Sequence, residues 1–517
     1  MDTLTLILTV AGIGLLCAFC FIIWSYARGL RNSPRELWIL FLTKVIEYTA
    51  YGAMNMSFVL YLSADCGLGD IPAGSYIGVW SMLVTITTML VGAVVDAIGI
   101  KKTLLIGTLV LIFSRGFMPF LNNIYTVTIL GFIPMAIGIA IMGPVLSVGI
   151  KRYTTKEGAA LGFGLFYTLM NVGWALGAVL FDGVRGLFGE HTMVAMPLVG
   201  LELSTYQIIF MAGFLLTVPT LVMVLIMRDG VEMTETGTYR LAPITNDFVG
   251  SILSVFWQVF KKASVDTGRI LSQVVRQKEF WYYMFMLGIL VFVRLVFYHF
   301  HYTFPKYGIR ILGEGVKIGN IYGVLNPTII VFLVPLVAAL SRRVASYKML
   351  MIGTTISASA IFIATMPEGF FAPLMGTWVE ELVYNRWLGL APEMHTPLVL
   401  ALVIFVILFT IGEAIWSPRL MQFAAEIAPE GREGTYISLS YLPYFAAKLI
   451  AGPLSGWLLF NYVPEGAESY PHHYFVWLWI GGMAVLSPIG LAVFRGVFSA
   501  SEKRQREARA ANEAAKG

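Results

Sequence analysis

Charge is scarce in this chain, and so are cysteine and the short signatures of catalysis. Only 13% of the residues are charged, about half the roughly 25% usual in soluble domains, and that shortage excludes an ordinary water-soluble fold. Three cysteines, Cys17, Cys20 and Cys66, make no disulfide framework or metal site, and the first two lie inside an apolar run. Neither follows the small residue that a lipoprotein signal requires. No nucleotide loop, HExxH or GxSxG is present, so nothing points to an enzyme. A non-transporting membrane sensor would be expected to carry an added soluble domain, and neither tail is long enough for one.

What is present is apolar: 58% of 517 residues are hydrophobic, with a mean hydropathy of +0.77. An all-α polytopic membrane protein follows. The net charge of +5 comes largely from Lys and Arg in connecting loops and the C-terminal tail, where a membrane surface explains it without nucleic acid.

Met1 to Tyr26 is apolar, preceded by no basic residue and followed by Arg28, Arg31 and Arg35. A cleaved signal has its charge first, so residues 1–30 read as an extra transmembrane helix with its N-terminus outside. Further spans are expected at 37–62, 74–98, 103–120, 124–150, 158–182, 204–227, 280–303, 317–341, 347–366, 397–426, 435–461 and 472–497, about twelve core helices of about 20 residues or more. A polar connector at 228–279 separates an N-terminal six-helix bundle, 37–227, from a C-terminal one, 280–497, with a cytoplasmic tail at 498–517. Within the connector, Phe248 to Val275 mixes apolar and basic residues at helical spacing and suits a membrane surface. Lys101, Lys102, Lys151, Arg152, Lys156, Arg342, Arg343 and Lys348 fall on one side, which sets the cytoplasm. Lys306, Arg310 and Lys317 fall on the other side and break the rule.

The most informative run is Leu398 to Pro429, with Glu413 near its middle. A carboxylate at that depth costs about 2.5–3.5 kcal/mol on insertion scales, so it should face a cavity or an opposite charge. Gly412 and Pro418 flank it and are expected to loosen the helix where a moving part would bend. Asn171 and Asn326, amides within apolar spans, also need partners. Between the second and third core spans stands GAVVDAIGIKK, which places Gly92, Asp96, Gly99, Lys101 and Lys102 in a turn suited to close packing and a cytoplasmic anchor.

That loop resembles the signature GxxxDxxGxKK of the major facilitator superfamily, where it gates the cytoplasmic side. Four further stretches resemble the proton-coupled oligopeptide transporter family: IPMAIGIAIMGPVLSVG with Pro144, FYTLMNVG with Asn171, VLNPTIIVFLVPL with Asn326, and GEAIWSP with Glu413. The resemblance implies a major facilitator fold of two six-helix bundles, peptide-binding asparagines at Asn171 and Asn326, and a glutamate at Glu413 that receives a peptide amino terminus. The first core span departs from the family's ExxERFxYYG. Here TKVIEYTAYG keeps Tyr51 and Gly52 but puts Glu47 where the arginine belongs, and Gly143 replaces a lysine common in the fourth span.

Cations stand elsewhere, at Lys44, Arg294 and Lys448. Lys44 and Glu47, three apart, can meet on one helix face, unless Lys44 snorkels to the surface. Arg294 is a candidate tie to Glu47, and Lys448 the expected partner of Glu413. Tyr51, Tyr167 and Trp416 have plain packing as their competing role, while His299 and His301 suit an interface. The functional expectation is a secondary transporter of small polar solutes, di- or tripeptides first, driven by protons because a desolvated carboxylate binds its proton more tightly. The alternative within the fold is a proton-coupled drug or metabolite exporter. A monomer in the cell membrane, inner or plasma, with a cytoplasmic C-terminus and no cofactor other than H⁺, completes the expectation.

Overall fold

The computed structural model describes residues 3–196, 200–234, 237–241, 278–341, 344–427 and 442–496, with scattered positions between 251 and 276. Helices occupy each expected span: α1 (Thr3–Gly29), α2 (Arg35–Ala64), α3 (Asp70–Ile98), α4 (Ile100–Phe117), α5 (Ile133–Tyr153), α6 (Lys156–Phe188) and α7 (Thr205–Ile226). After the connector come α8 (Lys278–Tyr302), a short α9 (Phe304–Leu312), α10 (Leu325–Leu340), α11 (Ser346–Ile361), α12 (Pro397–Ile427), α13 (Leu442–Tyr462), and α14 (Tyr474–Ala484) leading into α15 (Leu486–Val493). Among the described residues, ten stretches are long and apolar enough to cross a bilayer. Most of the expected surface segment at 248–275, the start of the 435–461 span and the tail at 498–517 lie outside the described residues.

Local chemistry fixes several boundaries. Ser204 and Gln207 form a reciprocal capping box at the start of α7, and the Thr155 hydroxyl accepts from the Gly158 amide at the start of α6. Gly99, at φ 87°, breaks the chain between α3 and α4, a left-handed conformation that glycine adopts without strain. A π-helical turn, Gly319–Val324, leads into α10 one residue before Leu325 and Asn326. Two antiparallel hairpins were not expected from hydropathy: β1 (Met193–Met196) with β2 (Leu201–Ser204), and β3 (Val231–Met233) with β4 (Tyr239–Leu241). Their strands are too short to show alternation in the sequence.

The chain forms two compact units, and the division cuts through helices. The first holds residues 1–55, 86–265 and 374–389; the second holds 56–85, 266–373 and 390–517. The end of α2 and the first half of α3 therefore pack with the C-terminal helices. The reason is a backbone seam between α3 and α13, where a Cβ on Gly74 would stand 2.4 Å from the Gly452 carbonyl oxygen and one on Gly78 2.8 Å from that of Lys448. No side chain fits between backbones that close.

Within the second unit, α8, α11, α12 and α15 pack through Met286, Leu290, Leu350, Trp416 and Leu491. Gly412 has a different role from the one expected. A Cβ there would meet the Gly353 oxygen at 2.6 Å, so the glycine serves close packing of α12 on α11, and α12 runs unbroken through Pro418. In the first unit, α1 rests on α6, with Tyr26 against Gly164, and the stretch Gly12–Gly29 is otherwise unburied.

Candidate functional site

Glu413 is buried in α12, and its Oε2 accepts a hydrogen bond from Asn326 Nδ2 at 2.7 Å. The same amide nitrogen reaches Thr410 Oγ1 at 2.9 Å, one turn before Glu413. α10 and α12 thus bring together two of the expected site residues, and the amide that needed a partner has a carboxylate. Lys448 is not that partner. Its Nζ donates to Thr85 Oγ1 at 2.7 Å and to the Ser81 carbonyl at 3.2 Å, because α13 lies on the α3 seam. Arg294 is the cation whose charge reaches both Glu413 and Lys448, but it forms no ion pair among the described residues. Its guanidinium lies over Phe297 at 4.5 Å and Tyr444 at 5.5 Å.

In the first unit, Glu47 is paired with a residue that the sequence reading passed over. Arg115 Nη2 donates to Glu47 Oε1 at 2.6 Å and Nη1 to Oε2 at 2.9 Å, while Nη1 also donates to Thr217 Oγ1 at 2.6 Å. Arg115 is 0% exposed and Glu47 3%. The two-pronged geometry satisfies both carboxylate oxygens. The expected pairing of Glu47 with Lys44 gives way to this one, since Lys44 Nζ is held over Tyr48 at 3.7 Å and Phe166 at 3.9 Å. Lys44 is buried and does not snorkel. Tyr51 packs its ring against Trp174, centroids 5.4 Å apart, and Asn171 Nδ2 donates to the Tyr167 carbonyl at 2.9 Å. The signal for Arg115 was its isolation, one guanidinium in the apolar run IFSRGF.

In the loop between α3 and α4, Lys101 Nζ donates to the carbonyls of Leu225 at 3.1 Å and Met227 at 2.6 Å. It therefore caps the negative end of α7. Lys102 stands 3.6 Å from Asp229. Gly92 and Asp96 lie on α3, but their side chains are outside the described residues. At the same end of the first unit, buried Glu36 accepts from Arg228 at 2.8 Å through each oxygen. Burial alone would raise the Glu36 pKa, but hydrogen bonds from Arg228 outweigh it and hold the carboxyl at about 2.

Two of the three basic residues that broke the charge rule, Lys306 and Arg310, are explained by Asp70, at the start of α3. Lys306 Nζ donates to Asp70 Oδ1 at 2.7 Å, and Arg310 donates to both Asp70 oxygens at 2.8 and 2.9 Å. Arg310 also reaches Glu465 at 3.0 Å, and Lys306 bonds the Ser63 hydroxyl. Burial pulls the Lys306 pKa down more than Asp70 raises it. Asp70 itself is held below the usual carboxylate value, because the Arg310 and Lys306 interactions exceed the burial that opposes them. His299, in the last turn of α8, is fully buried, with Nδ1 2.7 Å from Thr303 Oγ1. Trp416 is likewise fully buried, as a packing aromatic would be.

A family model described as Major Facilitator Superfamily matches residues 40–384, and no curated protein matches the chain. Among solved structures, a mutant of the peptide transporter POT superposes with a TM-score of 0.64 at 15% identity, covering 92% of this chain and 99% of that one. A POT family transporter in complex with 5-aminolevulinic acid gives 0.62 at 15%, covering 90% and 97%. Another, in complex with a thioalcohol conjugated peptide, gives 0.62 at 16%, covering 91% and 99%. At such identities the likeness is one of fold.

Proposed function

Since the chain belongs to the major facilitator superfamily, we propose that it is a secondary transporter that moves small polar organic solutes, di- and tripeptides first, by alternating access coupled to protons. Two six-helix halves, 37–227 and 280–497, rock about a midplane site in this reading. The observation that carries it is Glu413, a buried carboxylate within a membrane span whose hydrogen-bond partner is the amide of Asn326 and not a cation. Such a carboxylate can take and release a proton without breaking an ion pair, which is what coupling requires. Tyr51 and Asn171 supply the binding surface of the first half. Fold likeness to structures holding a peptide and 5-aminolevulinic acid supports solutes of that size.

The loop from Gly92 to Lys102 serves as the cytoplasmic gate, and Lys101 supports that role by tying the start of α4 to the end of α7. The protein works as a monomer with its C-terminus in the cytoplasm. The test is uptake of a labelled dipeptide panel into proteoliposomes with and without an inward proton gradient. Accumulation only with the gradient, lost in Glu413→Gln, is the expected result. Gradient-driven uptake that survives in E413Q would remove Glu413 from the coupling step and pass that task to Glu47.

A further inference from the structure

Within the second unit, Arg294 and Lys448 have no ion pair among the described residues. Arg294 on α8 and Lys448 on α13 lie on facing helices, each one turn from a tyrosine of its own helix. The two form a crossed ladder, with Arg294 over Tyr444 at 5.5 Å and Lys448 Nζ 5.7 Å from the centroid of the Tyr298 ring. No carboxylate lies within ion-pair distance of either among the described residues. Their donors are also incompletely used. Arg294 Nε is buried without a hydrogen-bond acceptor, although a guanidinium offers five N–H groups. Lys448 gives hydrogen bonds to the Ser81 carbonyl and Thr85 hydroxyl, and an ammonium has a third to give. Both side chains are only half-buried. A cation inside a membrane span is costly to turn toward hydrocarbon, which favours a polar partner for the unused donors of each.

The one carboxylate whose charge Arg294 meets is Glu413, and that group already accepts from Asn326. Arg294 thus meets the charges of both Glu413 and Lys448, while the charge beside Lys448 is that of Arg294, and one further anion would balance the two cations. We propose that Arg294 and Lys448 form a subsite for a carboxylate of the transported solute, so that the substrates are organic anions for which a free amino group is not required. A guanidinium binds a carboxylate through two parallel hydrogen bonds, and the Lys448 ammonium adds a point charge beside it. The resemblance to peptide transporters assigns this half of the molecule a binding asparagine, Asn326, and a glutamate, Glu413, for an amino terminus. The inference reverses that polarity, and it rests on the transporter reading above.

The experiment is equilibrium binding to the purified full-length protein in detergent, using N-acetyl-dialanine, which keeps only the carboxylate, dialanine, which has both ends, dialanine amide, which keeps only the amine, and succinate. N-acetyl-dialanine should bind at least as tightly as dialanine, and dialanine amide at least about tenfold more weakly, the loss expected for charged hydrogen bonds. R294Q and K448M should each weaken N-acetyl-dialanine by about tenfold or more, with R294K losing less than R294Q. If R294Q does not fold, K448M and R294K decide. Tightest binding of dialanine amide overturns the subsite, as does unchanged anion affinity in both R294Q and K448M, or failure of every carboxylate to bind. Succinate bound in an Arg294-dependent way while no peptide binds keeps the subsite and removes the peptide reading. Proton-driven dialanine uptake with an unchanged KM in R294Q and K448M does the reverse.

Discussion

Each unit carries an arginine inside a membrane span, and the two are treated in opposite ways. Arg115 has both ends of its fork on Glu47, a hydroxyl from Thr217 alongside, and no exposure. Arg294 has aromatic faces, a hydrogen bond with Tyr298, a neighbouring lysine that repels it, and no ion pair among the described residues, while the Nε of each arginine is buried without an acceptor. A buried charge with its counter-charge in place costs less to keep and gains less from an entering anion. A charge left short of partners is held at a standing cost, and a ligand that supplies the missing anion recovers it. Glu47 and Arg115 are accordingly a structural tie, and Arg294 with Lys448 a binding surface.

Breaking the matched pair should have the largest effect. Arg115→Ala leaves Glu47 buried without its ion-pair partner, a loss of about 3–5 kcal/mol, read as a fall in the thermal unfolding midpoint of the purified protein. The double variant E47Q/R115M should recover more stability than either single change, because both charges leave together. An R115A protein as stable as the wild type would abolish the distinction between the two clusters.

The Asp70 cluster lies between these extremes, matched but with Arg310 also able to lean on Glu465. Asp70→Asn should cost about 2–3 kcal/mol, less than R115A for that reason. Its pH dependence has a definite sign. A carboxyl whose folded pKa is depressed contributes stability that is present above its unfolded value, 3.8 for Asp70, and lost as the pH falls below it. For Glu36 the window runs from 4.5 down to about 2. D70N and E36Q should each flatten the acid limb of a stability–pH profile, and an unaltered limb in E36Q would mean that Arg228 does not hold that carboxyl.

Hydropathy made the spans legible, and their position within apolar runs made Glu413 and Asn326 visible as residues in need of partners. Their meeting was legible only through the motifs GEAIWSP and LNP, since the rotation of α10 against α12 is not written in either helix. For the same reason the sequence offers Lys44, on the same helix, and Arg294 as partners of Glu47, when Arg115 reaches it from α4 and neither of the other two forms the ion pair. Lys448 was assigned to Glu413 because both were lone charges in apolar runs, but the glycine seam of α3 and α13 brings Ser81 and Thr85 closer. Lys306 and Arg310 were the clearest missed signal. Two basic residues on the wrong side of a membrane protein call for an acid, and Asp70 stands in a loop of that side.

The smallest effect on stability, and the sharpest test of the comparison, should come from Arg294. Replacing it with Gln removes cation–π contacts with Phe297 and Tyr444, worth about 0.5–2 kcal/mol together. It also removes a desolvated charge that has no ion pair and repels Lys448, and the relief is of similar size and opposite sign. The expected net change in stability is within about 1 kcal/mol, against the loss of about 3–5 kcal/mol for R115A. The two arginines differ by one carboxylate, so the contrast is also testable by supplying one. With N-acetyl-dialanine in excess, the wild-type unfolding midpoint should rise by mass action, and the midpoint of R294Q should stay where it was. If R294Q instead destabilises the protein as strongly as R115A, Arg294 is a structural residue with a partner of its own, and the asymmetry between the two units disappears.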